Sequence, residues 1–139
     1  MLDSVFKRMS KNDLGITKSH QAGILIPKDL VRKGFFPELD SSQFNPRVVI
    51  DIQCGERTYS FNYIYYNNKL FDQGTRNEYR LTGMSKFFRQ ENIEEGDSIQ
   101  FVRNDSNKEY SIVIHRESEK SVAAFDSDSP LIIRSNWSY

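Results

Sequence analysis

Thr58-Tyr59-Ser60-Phe61-Asn62-Tyr63-Ile64-Tyr65-Tyr66 is the clearest alternation in the chain. Successive side chains of a strand point to opposite faces, so Tyr59, Phe61, Tyr63 and Tyr65 share one face and Tyr66 belongs to the other. Aromatic residues suit a pleated, half-buried surface, which makes this stretch a strand lying on a core. The four aromatics of one face read as core or wall residues, not as stacking platforms.

Outward from this strand the rest of the chain falls into short pieces. Arg47 to Gln53 alternates loosely and is rich in Val and Ile, which predicts a neighbouring strand. Gly23-Ile24-Leu25-Ile26-Pro27 is an apolar run stopped by proline and reads as a buried strand. Pro27 sits where a helix can begin, and Lys28 to Lys33 makes a short one ended by Gly34. Asn67-Asn68 and Gly74 bracket a polar loop, followed by a strand over Tyr79 to Thr82. Ser85 at a cap position and Phe87-Phe88 on one face predict a second helix over Ser85 to Glu91. Ser98 to Arg103 and Tyr110 to His115 form a hairpin around a turn at Asn104 to Asn107. Residues 1 to 22 are polar, broken by Gly15 and without a sustained period, so they read as a loop or arm. Residues 117–139 read as an acidic edge or linker with one closing strand over 131–134. The sum is about seven short strands and two short helices, a mainly β domain over residues 1–116 of the barrel or sandwich kind.

With 139 residues the chain has room for one ordinary domain. Mean hydropathy is only -0.64, yet ten Phe and seven Tyr supply enough buried area for a core. No stretch approaches eighteen consecutive apolar residues, and Met1 to Ser10 lacks the apolar centre of an export signal. A reducing compartment, without membrane contact, is therefore expected. Cys54 alone makes neither an internal disulfide nor a thiolate zinc site. Net charge is zero, but residues 1–90 hold fourteen Lys or Arg against nine Asp or Glu, and residues 91–139 hold five against ten. Such asymmetry hints at a polyanion-binding face, with solvated surface charge as the plainer explanation.

Catalytic constellations are missing. The residue two places before each lysine (Val5, Met9, Ile16, Ile26, Val31, Asn67, Met84, Ser106 or Ser118) is never acidic, so the common metal-dependent nuclease pattern is absent. His20 and His115 are followed at the relevant spacing by Ala22 and Glu117, which excludes a His-x-Lys nuclease. Neither the phosphate loop nor the dinucleotide glycine fingerprint occurs. Cys54 reads as a small half-buried residue and His115 as a surface or satisfied edge histidine. No cofactor and no metal are expected.

Thr75-Arg76-Asn77-Glu78-Tyr79-Arg80 has a different character. Arg pairs bidentately with guanine, Asn with adenine, and Glu accepts from cytosine. A patch that only binds phosphate would omit the carboxylate, because phosphates repel it. An Arg–Glu ion pair on a solvated hairpin explains the same residues structurally. Lys11-Asn12-Asp13 with Thr17-Lys18-Ser19-His20-Gln21 is a second polar cluster, equally consistent with a plain N-terminal loop.

Three blocks now resemble a known family. They are Asn12-Asp13-x-Gly15-x-Thr17-x-x-His20-Gln21-x-Gly23-Ile24-x-Ile26-Pro27, then Ile64-Tyr65-Tyr66-Asn67, then Thr75-Arg76-Asn77-Glu78-x-Arg80. In order and separation they resemble the N-terminal effector domain of EcoRII-type restriction endonucleases, over most of residues 10 to 116. Phe87 to Phe101 is also similar to a segment of the plant pseudobarrel domains found in auxin-response factors. The resemblance implies a seven-stranded DNA-binding pseudobarrel in the prokaryotic cytoplasm. Two arms, about residues 10–25 and 72–80, would enter the major groove of a CCWGG-like site from either side. It further implies that the domain controls a separate, covalently linked nuclease domain. Where the family has lysines in the second arm, Gly74 and Tyr79 stand here, and Leu25 replaces a tyrosine after the first block. Lys69, Lys18 or Lys11 would replace the lost positive charge.

The sequence is accordingly read as a metal-independent, sequence-specific binder of double-stranded DNA. Arg76, Asn77, Glu78 and Arg80 with Asp13, His20 and Gln21 would read base edges. Lys11, Lys18, Lys69 and Thr75 would hold phosphates. The rivals are a stand-alone transcription factor of the same fold, an RNA or single-strand binder using the Tyr-rich strand, and a compact enzyme with an unusual site.

Overall fold

The computed structural model describes residues 3–15, 23–117, 133–134 and 136–139. In chain order the elements are β1 (Ser4–Arg8), α1 (Lys11–Leu14), β2 (Gly23–Ile26), α2 (Lys28–Arg32), β3 (Arg47–Cys54), β4 (Arg57–Tyr66), β5 (Glu78–Thr82), α3 (Ser85–Gln90), β6 (Ser98–Arg103), β7 (Tyr110–His115), β8 (Ile133–Arg134) and β9 (Trp137–Ser138). A 3-10 turn over Asn68–Phe71 interrupts the loop between β4 and β5. The nine strands form one sheet in the order β2-β5-β4-β3-β7-β6-β1-β9-β8. All pairings are antiparallel except β3 with β7.

The alternation of β4 does what its spacing demands. Tyr59, Phe61, Tyr63 and Tyr65 are buried, and the facing residues Ile50 and Ile52 of β3 and Leu81 of β5 join them. Phe87 and Phe88 of α3, Leu30 of α2, and Phe35 and Phe36 pack into the same core. Removing each large apolar side chain from water contributes about 1.5–3 kcal/mol. Gly23 is required by close approach, because a Cβ there would sit 2.5 Å from the Leu81 carbonyl oxygen of the paired strand.

The sheet curls until its two ends meet. β2 is one end of the strand order and β9 lies next to the other. Trp137, fully buried and stacked on Phe101 at 5.8 Å, donates its indole N–H to the Leu25 carbonyl at 2.9 Å. The Tyr139 hydroxyl donates to Asp29 Oδ2 at 2.8 Å, a second tie between the same ends. A mainly β pseudobarrel results.

Several expectations need correction. The strands number nine among the described residues, not seven, because β1 and β9 were not legible as strands. Residues 1 to 22 are not all loop: Ser4–Arg8 is β1 and Lys11–Leu14 is α1. β1 hides its period because Lys7, at an inward position after Val5, is itself buried. Ser85 is the first helical residue of α3, and the cap position falls on Met84, whose side chain makes no capping bond. The expected linker falls mainly on residues 118–132, outside the described residues, while Ile133–Arg134 and Trp137–Ser138 return to the sheet. His115 is a satisfied edge residue, with Nε2 3.0 Å from Gln100 Oε1. Cys54 is buried at the end of β3, and burial pushes its thiol pKa up.

Candidate nucleic-acid interface

The loop between β4 and β5 is built on Asn67, which has no solvent exposure. Its side-chain amide donates to the carbonyls of Ser41 (3.3 Å) and Gln43 (2.7 Å), and its Oδ1 accepts from the Asn45 N–H at 2.7 Å. Asn45 Oδ1 reciprocates by accepting from the Asn67 N–H at 3.0 Å. Buried polar groups are retained where they are fully hydrogen-bonded, and this one ties residues 41–45 to the root of the loop. Above it the Lys69 N–H donates to the Arg76 carbonyl at 3.0 Å, closing the loop on itself.

Residues 76 to 80 carry the charge. The Arg76 Nε donates to Glu78 Oε1 at 3.1 Å, and an Arg80 terminal amino group donates to Glu78 Oε2 at 2.9 Å. One carboxylate thus spaces two guanidinium groups. The Arg76 guanidinium also lies over the Tyr66 ring, 3.7 Å from its centroid. Asn77 is oriented by the Tyr65 hydroxyl, which donates to its Oδ1 at 2.7 Å. Tyr79 points to the other face and stacks on Tyr65 at 4.2 Å, so it serves packing. Strand register puts Leu25, Arg80, Ile64 and Arg47 in one row across β2, β5, β4 and β3 on the face turned from the aromatic core.

The expected first arm begins at α1. A reciprocal capping box starts this helix: the Asp13 N–H donates to Ser10 Oγ at 3.2 Å, and the Ser10 N–H donates to Asp13 Oδ2 at 2.8 Å. The same Oδ2 accepts from Lys7 Nζ at 2.9 Å, and both side chains are nearly buried. Asp13, expected at base edges, is therefore engaged in holding the helix. Nothing in the neighbours of Lys7 marks it as inward-facing. An open cleft of about 310 Å³ brings Lys7, Ser10, Asn12, Asp13, Leu25, Arg80 and Asn136 together, which sets α1 beside β5. Lys11, Lys69 and Thr75 are exposed. Lys18, His20 and Gln21 lie outside the described residues.

Burial alone would raise the Glu78 carboxyl, but hydrogen bonds from Arg80 and then Arg76 outweigh it and hold its pKa below the ordinary glutamate value. A lowered folded pKa stabilises the folded loop above the unfolded-state value and loses that contribution as pH falls through the folded one. The contribution is small for so exposed a group, with Glu78 and Arg76 side chains 29% and 46% exposed. The Arg–Glu–Arg geometry should therefore be constant from pH 6 to 8 and dissolve only on acidification. An NMR titration of the Glu78 side-chain carboxyl should show a midpoint below that of a peptide glutamate, rising in Arg80→Ala. An unshifted midpoint would mean that the bridge is not populated in solution.

Among the described residues no helix is long and apolar enough to cross a membrane, and no three His, Cys, Asp or Glu side chains cluster as metal ligands would. The fold is a mainly β pseudobarrel, the architecture of two solved plant proteins. The Arabidopsis FUS3-DNA complex aligns with a TM-score of 0.60 at 18% identity, covering 80% of this chain and 94% of that one. The Arabidopsis thaliana transcription factor LEC2-DNA complex aligns at 0.59 and 19%, covering 82% and 96%. The family model described as restriction endonuclease EcoRII, N-terminal, matches residues 3–122, and the chain belongs to that family. Over 80 residues it is 38% identical to the type II restriction enzyme EcoRII of Escherichia coli. That match spans 55% of this chain and only 19% of the enzyme.

Proposed function

We propose that this chain binds duplex DNA sequence-specifically in the major groove, through arms at about residues 10–25 and 72–80. It would serve as the effector or targeting region of a restriction endonuclease whose nuclease domain is covalently linked. The observation that carries this reading is the edge that Arg76 presents. Its Nε is taken by Glu78, while neither terminal amino group has a partner among the described residues. Those two donors match guanine O6 and N7. Family membership and the two plant folds solved with DNA support the same reading. The single-strand rival is disfavoured because Tyr59, Phe61, Tyr63 and Tyr65 are buried and offer no platform.

Matched titrations against a CCWGG duplex and a scrambled duplex at fixed salt provide the test. Arg76→Ala should weaken the specific duplex by about 1–3 kcal/mol and change the scrambled one little. Glu78→Gln should relax discrimination at one C·G pair and raise nonspecific affinity, since a carboxylate repelled by phosphate is removed. Lys11→Ala, Lys18→Ala and Lys69→Ala should weaken both duplexes alike and each reduce the salt slope by about 0.9. Equal loss on both duplexes for Arg76→Ala would make Arg76 a phosphate clamp or a structural partner and overturn the base-reading role.

A further inference from the structure

We propose that Tyr66 is a positioning residue for sequence discrimination: its ring carries the Arg76 guanidinium and fixes the plane in which that group meets a base. The inference rests on the base-reading role of Arg76 and deepens it. A guanidinium has two faces and a fork of donors. Here one face lies on Tyr66 at 3.7 Å and the Nε edge is held by Glu78 at 3.1 Å. These two contacts constrain the guanidinium in two different directions. An exposed arginine without them samples many rotamers and must be ordered at the moment of binding.

The fold supplies the support independently of Arg76. Tyr66 is the last residue of β4 and pairs with Glu78 of β5, so one cross-strand pair provides both the ring and the carboxylate. The next residue is the buried Asn67, whose four hydrogen bonds with residues 41–45 fix the end of the strand. The ring is thus a rigid surface, while Arg76 sits on the loop just before β5, its carbonyl accepting from the Lys69 N–H. Alternation puts Tyr66, half-buried, on the face opposite the core aromatics, the face that also carries Glu78 and Arg80.

The test is a double-mutant cycle on the whole chain, read as the ratio of CCWGG to scrambled duplex affinity, with thermal unfolding as a folding control. Tyr66→Leu keeps apolar volume and removes the ring. It should lower specific binding about five- to tenfold and scrambled binding less than twofold. Tyr66→Phe keeps the ring and should hold the ratio within about twofold of the parent. In the Arg76→Ala background, Tyr66→Leu should add less than a twofold loss, because the group it positions is gone. Equal effects of Tyr66→Leu in both backgrounds, or a Tyr66→Leu as harmless as Tyr66→Phe, would overturn the positioning role while leaving base reading by Arg76 intact. If Arg76→Ala itself is unselective, the base-reading role fails and the positioning role falls with it.

Discussion

Trp137→Ala is expected to lower the unfolding free energy by about 3–5 kcal/mol, the range for truncating a large buried aromatic. Two losses combine. The indole is fully buried against Phe101, so its removal leaves a cavity in the core. Its N–H is also the donor that joins the Leu25 carbonyl to the far end of the sheet. Trp137→Phe separates these effects, since it keeps most of the packing and loses the donor, for a cost of about 1–3 kcal/mol. Urea unfolding followed by circular dichroism measures both. Trp137 is also the chain's single tryptophan, so indole fluorescence, excited selectively over the tyrosines, reports on this closure. A cost below about 1 kcal/mol for Trp137→Ala would show that the barrel holds without its C-terminal residues.

That closure was not legible in the sequence, and the reason is physical. A two-residue strand has no period, so Trp137–Ser138 carries no alternation to read. Its place is decided by β1 and Leu25, more than a hundred residues away. β4 stands at the other extreme. Ten residues with one aromatic face fix strand, register and core side by local chemistry alone. The candidate site divides in the same way. Arg76, Glu78 and Arg80 were legible because unlike polar groups are crowded into one short loop. Alternation alone puts Tyr66 on the face away from the core, but only the folded loop brings Arg76 onto it. The capping role of Asp13 follows a recognisable spacing after Ser10, whereas its ion pair with Lys7 depends on where β1 runs.

The Lys7–Asp13 pair connects stability to the proposed first arm. Lys7 and Asp13 side chains are 5% and 11% exposed, and the contact is 2.9 Å. Removing one member of so buried a pair leaves the other charge without compensation, which costs about 3–5 kcal/mol. Lys7→Met keeps the length and apolar stem and should show this loss in urea unfolding. Asp13→Asn should cost less than a full truncation, because an amide oxygen still accepts from the Ser10 N–H and preserves the cap. The double variant carries neither charge, so its cost should fall short of the sum of the singles by at least about 1–2 kcal/mol. Strict additivity would mean that the two groups do not interact in solution. The same variants probe the arm. α1 hangs from β1 through this contact and from its own cap, and the cleft beside it contains Arg80. Lys7→Met should therefore weaken CCWGG binding more than Asp13→Asn does under conditions where both remain folded. Equal binding by folded Lys7→Met and parent would show that the placement of α1 is immaterial to recognition, and would confine the buried pair to a structural role.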